Sequence, residues 1–162
     1  MNLKRTGKTS LVFEMNEPEQ EVLLETLLLY PLVPSTHHRL SKAAESQSEE
    51  NQRLLEESLA QQRAENRKEL DALLNDPVRF KKVGKNFRLR IKVMELEWLL
   101  QVFNDIRVGC WLRLGEPDED KPPTLTPENI RFGFAMEVSG MFQSALLAAL
   151  GETESSDWPG EN

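Results

Sequence analysis

Four groups of residues in this 162-residue chain have side chains that could do chemistry. The first is a histidine pair, His37 and His38, the only imidazoles present. Adjacent imidazoles can hold a metal weakly. A tetrahedral site needs further thiolate or imidazole ligands, and the lone Cys110 and the absence of a second histidine pair leave it incomplete. With no nucleophile placed beside either histidine, a Ser-His-Asp or Cys-His device has no visible parts, and a solvated loop pair is the expectation. Cys110 lies in an apolar stretch, which predicts a buried, inert thiol. The second group is TGKTS, Thr6 to Ser10, which resembles the end of a phosphate-binding loop. That loop needs a glycine five residues before Gly7, where Asn2 stands. It also needs a strand before it and a helix after it, whereas a strand pattern follows here.

The third group is Asn104, Asp105 and Arg107, polar residues in the middle of an otherwise apolar helical pattern. A charge near a core must be paired, because burying it alone is costly. The spacing therefore predicts a structural polar core at Asn104, Asp105 and Arg107. Asp105 and Arg107 should seek different partners, since helical residues two apart do not face each other. The competing reading is a polar pocket, and a deep cavity lined by all three would favour an enzyme.

The fourth group is the stretch RFKKVGKNFRLRIKV, Arg79 to Val93. It holds Arg79, Lys81, Lys82, Lys85, Arg88, Arg90 and Lys92, and no acid. Removing these seven positive charges from the net −7 leaves −14 on the rest of the chain. Three readings compete for this candidate interaction surface. Edge protection of an exposed strand ranks first, an acidic protein partner second, and nucleic acid third. Aromatic residues that could stack on bases are sparse, and a chain of net −7 repels polyanions.

The elements that must carry these groups are legible from periodicity. Leu11, Phe13 and Met15 alternate in a short strand over Thr9 to Met15. Asn16, Pro18 and Glu19 form a capping-box start for a helix that runs to about Tyr30 and is stopped by Pro31. Its leucines surround most of its girth, which predicts a central helix. A connector containing the histidines follows. A long helix then starts near Ser46, with a thin stripe of Leu55, Leu59, Leu70, Leu73 and Leu74 and a solvated middle. Phe87, Leu89, Ile91 and Val93 alternate strictly with Arg88, Arg90 and Lys92, the cleanest strand signal in the chain. Val78 to Val83 could form a ragged partner strand. The preferred partner is the first strand, antiparallel, with Glu14 facing a basic side chain.

The segment from Glu95 to Gly115 reads as the core helix, with Gly115 at its C′ position. A last helix opens at Thr126 and Pro127 and ends at Leu150, with Gly151 as its cap. The small residues Gly140, Ser144 and Ala148 are expected to serve internal helix packing. The fold class predicted is mainly α: a four-helix core with a small two-stranded sheet, in the order strand-helix-helix-strand-helix-helix. Residues 1–151 form a single domain, and 152–162 a disordered acidic tail.

ELEWLLQVFNDIRVGCWLRLG resembles a bacterial family, common in actinobacteria, that is catalogued as domain of unknown function two-zero-one-seven. Trp98, Asn104, Asp105, Arg107, Gly109, Arg113, Leu114 and Gly115 carry the resemblance, with MFQSALLAALG and EVLLETLLLY similar to the family's closing and opening helices. The resemblance implies a mainly helical domain without an established activity. Its genes often neighbour that of an adaptor for a cytoplasmic ATP-dependent protease, and some members are labelled transcriptional regulators.

One cysteine, no apolar segment behind the basic MNLKR, and no uninterrupted apolar run of membrane-spanning length predict a cytoplasmic protein that does not enter a membrane. The function expected is a non-catalytic interaction or regulatory module, not an enzyme, with no cofactor or metal and an unknown, possibly acidic, protein partner. Nucleic acid is disfavoured, and homo-oligomerisation is open. The alternative is a nucleic-acid-binding transcriptional regulator using the basic strand 79–92.

Overall fold

The structure, a computed structural model, describes residues 1–34 and 45–155. The His37–His38 pair falls outside these residues, as does the chain from residue 156 on. The elements run β1 (Asn2–Arg5), β2 (Ser10–Met15), α1 (Glu17–Leu27), α2 (Glu45–Asn75), β3 (Phe80–Val83), β4 (Asn86–Lys92), a 3-10 turn over Val93–Glu95, α3 (Leu96–Arg113) and α4 (Ile130–Ser155). The protein is mainly α, as the sequence predicts.

The sheet is larger than expected. It has four antiparallel strands in the order β1-β2-β4-β3, not two. The expected central pair is present in the expected direction, with Leu11 opposite Ile91, Phe13 opposite Leu89 and Glu14 opposite Arg88. NLKR adds the outer strand β1 beside β2, and FKKV, within the possible partner strand over Val78 to Val83, the outer strand β3 beside β4. Each new strand has one inward apolar residue, Leu3 or Phe80, packed against the core. That is too little to show as a period in sequence. A hairpin loop over Thr6–Ser10 joins β1 to β2, with the Thr6 N–H donating to the Ser10 carbonyl at 3.0 Å and Gly7 at φ 78°. TGKTS is therefore a strand-to-strand turn, which is no setting for a phosphate loop.

The register sends Leu11, Phe13, Met15, Leu89 and Ile91 to the helical side, all at most 3% exposed. A one-residue slip would reverse every one of them. Phe142 of α4 joins sheet to helices. Its ring lies 5.3 Å from that of Phe13 and stacks at 5.0 Å on Phe103 of α3. α3 is the core helix expected: Leu96, Leu99, Val102, Phe103, Ile106 and Cys110 are buried. Burial pushes the Cys110 thiol up to about 11, so it stays protonated and unreactive near neutrality. Gly115 ends the helix at φ 83°, as its C′ position requires.

α1 starts as its capping box predicts. The Glu19 N–H donates to Asn16 Oδ1 and the Asn16 N–H to Glu19 Oε2, both at 2.9 Å. The helix stops earlier than expected, at Leu27. It buries one stripe, Leu23, Thr26 and Leu27, while Leu28 is exposed, so it flanks the core and does not lie at its centre. α4 continues through Gly151 to Ser155. Gly151 is therefore no cap, and the chain remains helical at 152–155, where a tail was expected to begin.

The segment after α1 is held against α3 by close approach. A Cβ added to Gly109 would lie 2.6 Å from Leu32 Cγ, 2.7 Å from its Cβ and 3.0 Å from its carbonyl carbon. Because backbone is part of the clash, a side-chain rotation cannot relieve it. Gly109→Ala should lower stability by about 1–3 kcal/mol, although alanine gains about 1 kcal/mol of helix propensity. Urea denaturation measures the balance, and a raised midpoint would show that the Leu32 contact is dispensable.

Candidate functional site

Two polar regions stand out, and they differ in kind. The first is a seam between α2, α3 and the end of α1. Asp105 Oδ1 accepts the Leu32 N–H at 2.6 Å and the Val33 N–H at 3.3 Å. Its Oδ2 lies 3.5 Å from Arg63 Nη2 of α2. One turn on, buried Asn66 accepts from Gln62 at 3.0 Å and donates to Gln101 Oε1 of α3 at 3.2 Å. Arg67 reaches the carbonyls of Leu27 and Tyr30 at 3.4 and 3.3 Å and pairs with Asp71 at 3.0 Å. The middle of α2, expected to be solvated, is thus docked through polar side chains. Arg63, Asn66, Arg67 and Leu70 share one face at helical spacing, a polar continuation of the leucine stripe. Periodicity counted over apolar residues alone passes over it.

The three central residues of α3 are not one cluster. Asp105 is part-buried and fully engaged. Asn104 and Arg107 are exposed, and Arg107 donates to Asn104 Oδ1 at 3.4 Å. An open cleft of about 490 Å³ is lined by Asn104 and Asp105 with Tyr30, Arg63, Asn66 and Gln101. Arg107 lines a different groove, between α3 and α4. Burial raises the pKa of the Tyr30 hydroxyl, so it stays neutral and suits a structural hydrogen bond better than proton transfer. Among the described residues, no three His, Cys, Asp or Glu side chains converge as a metal set.

The second region is the outer face of the sheet. Among the described residues no helix lines it, and the pleat brings Lys4, Arg79, Lys81, Arg88 and Arg90 together over Val12 and Val78 in a concavity of about 320 Å³. β4 lies between β2 and β3, so Arg88, Arg90 and Lys92 protect no edge. Only Lys81 and Lys82, on outer strand β3, can do that.

The seven basic residues also divide by partner. Arg79 is paired with Glu95, which also accepts the Lys92 N–H at 2.8 Å, a contact that ties β3 to the start of α3. Lys82 points to the other side, 3.7 Å from Glu17 and over the Phe87 ring. Lys85 sits at the β3–β4 turn, after Gly84 at φ 64°. Arg88 is held by Glu14 at 2.8 Å, while Lys4 holds the other oxygen of that carboxylate at 3.0 Å. Among the described residues, Lys81, Arg90 and Lys92 are exposed with no carboxylate in pairing distance.

Glu14 shows what this face does to an anion. Hydrogen bonds from Lys4 and then Arg88 hold its carboxyl below the usual carboxylate range, against the opposing effect of desolvation. A carboxylate here is clamped between two cations from neighbouring strands, and the unpaired cations lie along the same face. Lys4 belongs to the surface and was missed in sequence because β1 was missed. Compared with family models, curated proteins and solved structures, the chain matches none. Among the described residues, one helix, over Ile130–Gly151, is long and apolar enough to cross a membrane, with mean hydropathy 1.3 and 28% of that span buried. Its buried stripe, Phe132, Ala135, Phe142, Leu146 and Ala149, is part of the core.

Proposed function

We propose that this protein is a non-catalytic interaction module that receives carboxylates of an acidic protein segment on the open face of its sheet. The observation that carries the reading is the clamped Glu14 beside Lys81, Arg90 and Lys92, which among the described residues have no carboxylate in pairing distance, on a face that no described helix lines. Carboxylates along an extended segment could meet these cations as Glu14 meets Lys4 and Arg88, each contact charge-assisted. The chain's −7 charge does not oppose this at contact range, because the Debye length is about 8 Å at physiological salt. A cytoplasmic setting and the regulatory role implied by the resemblance over Glu95–Gly115 belong to the same proposal and rest on the residues named for them.

Nucleic acid is the second reading, since phosphates would meet the same cations. It ranks lower because Phe80 and Phe87 pack against the core. Among the described residues the outer face therefore offers no aromatic platform for bases and no helix for a groove.

The test uses cations free of internal partners, so that folding is left alone. Lys81→Glu, Arg90→Glu and Lys92→Glu together should weaken binding of a fluorescein-labelled glutamate-rich peptide at least about tenfold by anisotropy, a change of about 1.4 kcal/mol. Raised salt should weaken it further. Unchanged affinity in the triple variant rejects the surface. A sequence-selective complex with DNA or RNA, stable near physiological salt and lost in the same variant, replaces the acidic partner with nucleic acid.

A further inference from the structure

β1 and β3 are the two edges of the sheet, and they differ in what they offer. The Arg90 N–H donates to the Arg79 carbonyl at 2.8 Å, and the register that sets Phe80 opposite Leu89 sets these two residues opposite each other. In an antiparallel ladder, bonded pairs of this kind alternate with unbonded ones. Lys81 with Arg88 and Val83 with Asn86 are therefore the next bonded pairs. Phe80 and Lys82 turn their main-chain groups the other way, toward the open edge. The Phe80 N–H is taken by the Asp76 carbonyl at 2.8 Å. Among the described residues, the Phe80 carbonyl and both main-chain groups of Lys82 have no partner. Lys81, Lys82 and Val83 beside them are exposed.

We propose that an acidic segment joins the sheet along this edge, hydrogen-bonded to β3 as an added strand. The proposal rests on the acidic-partner reading above and adds how the segment lies. Its main chain meets the Lys82 N–H, the Lys82 carbonyl and the Phe80 carbonyl, the kind of bonding by which extended peptides extend a sheet.

Charge selects the occupant. Residues opposite each other in paired strands put their side chains on the same side of the sheet. Lys81 lies on the outer face with Arg90, and Lys82 on the helical side near Glu17. The segment's residue opposite Lys81 therefore faces the basic concavity, and the residue next to it faces Lys82. Two consecutive acids satisfy both lysines, one on each side. The residue opposite Val83, which is 37% exposed, is then apolar. A second copy of β3 fits less well, because it would bring lysines against lysines, and like charges across a strand pair are destabilising. The β1 edge lacks the match. There the Thr6 N–H donates to the Ser10 carbonyl, so by the same alternation Leu3 and Arg5 turn their main chain outward. Lys4 between them is already held by Glu14 at 3.0 Å.

Lys82→Pro tests the edge. The Lys82 N–H points away from β4, so proline removes no bond of the ladder, and edge strands tolerate it there. Lys82→Gln removes the same charge and keeps the N–H. The probe is a short fluorescein-labelled peptide with Glu-Glu between valines, read by anisotropy. Both variants should keep the wild-type circular dichroism. Lys82→Pro should bind at least about tenfold more weakly than Lys82→Gln, because it lacks the donor and sets a ring in the path of the added strand. In the wild type, saturating peptide should slow hydrogen exchange of the Lys82 amide at least about tenfold and leave Leu3 and Arg5 unchanged. That reading stands even where Lys82→Pro fails to fold. Equal affinity of two folded variants, a Lys82 amide that stays fast in the complex, or protection of Leu3 and Arg5 in its place would each overturn strand addition. So would a Lys82 amide protected in concentrated free protein and released on dilution, the mark of a second copy on the edge. The variant with Lys81→Glu, Arg90→Glu and Lys92→Glu separates the two claims. If it loses the peptide while Lys82→Pro binds as Lys82→Gln does, the basic face takes acids without adding a strand. If it binds as wild type does, both claims fall.

Discussion

Asp105→Ala is expected to destabilise the protein by about 3 kcal/mol. The figure follows from what the carboxylate holds. Two backbone N–H groups, of Leu32 and Val33, donate to Oδ1, and Arg63 faces Oδ2. Val33 is 6% exposed, so water replaces the lost acceptor poorly there, and an unsatisfied donor costs about 1–3 kcal/mol. Arg63 is 19% exposed and can turn toward solvent, so the amides dominate. For a chain of this size each kcal/mol lowers Tm by about 2–4 °C, which places the shift near 10 °C. Asp105→Asn should cost less, because its amide oxygen can still accept from Leu32 while the ion pair is lost. Arg63→Ala should cost least. Calorimetric melts of the three variants check that order. A melt of Asp105→Ala within a degree or two of wild type would mean that the residue is spare to the fold, and would direct attention to the cleft it lines.

That prediction could be framed in sequence only in part. Asp105 was visible as a charge that needed partners, because with Asn104 and Arg107 it interrupts an otherwise apolar helical pattern. Its partners were not visible. Leu32 and Val33 are more than 70 residues away, and they reach Asp105 because Gly109, one turn further on, leaves room for Leu32. Local pattern does not record such long-range contacts. Likewise β2 and β4 announced themselves by strict alternation against a buried face. β1 did not, and β3 showed only as a possible ragged partner over Val78 to Val83, because an outer strand with one inward residue is defined by the neighbour it pairs with.

The same limit governed the candidate surface. Seven basic residues adjacent in sequence looked like one patch. The pleat, the turn and three ion pairs separate them, and Lys4 joins from a strand that periodicity did not show. The small-residue line of α4, expected to serve internal packing, was misplaced for another reason: Ser144 and Ala148 are exposed. The apolar residues of α4 surround the helix, so sequence could not say which side the core would take. That depended on Phe142 finding Phe13 and Phe103.

Ile91→Asp is expected to abolish folding, while Arg90→Asp, one residue earlier, should fold as wild type does. The contrast isolates register, since both changes put a carboxylate into β4. Ile91 is 2% exposed, opposite Leu11 at 1%, and belongs to the core cluster that includes Phe13 and Leu96. Losing its side chain from the core forfeits about 1.5–3 kcal/mol of apolar burial. Placing a carboxyl group there costs several kcal/mol more, whether it stays ionised or takes up a proton to avoid being so. The sum rivals the about 5–15 kcal/mol by which domains are stable. Ile91→Val, which keeps the apolar character, should cost only about 0.5–1.5 kcal/mol.

At Arg90 the side chain is exposed on the open face. The strand's bonds there are made by backbone: the Arg90 N–H donates to the Arg79 carbonyl at 2.8 Å. An aspartate at that position loses no internal ion pair and lies among the cations of the same face, so the change should stay within about 0.5 kcal/mol. Circular dichroism and urea unfolding of the three variants separate these outcomes. An Ile91→Asp protein that unfolds cooperatively near wild-type stability, or an Arg90→Asp protein that fails to fold, would mean that β4 presents the opposite face to the helices. The basic surface would then have to be sought elsewhere.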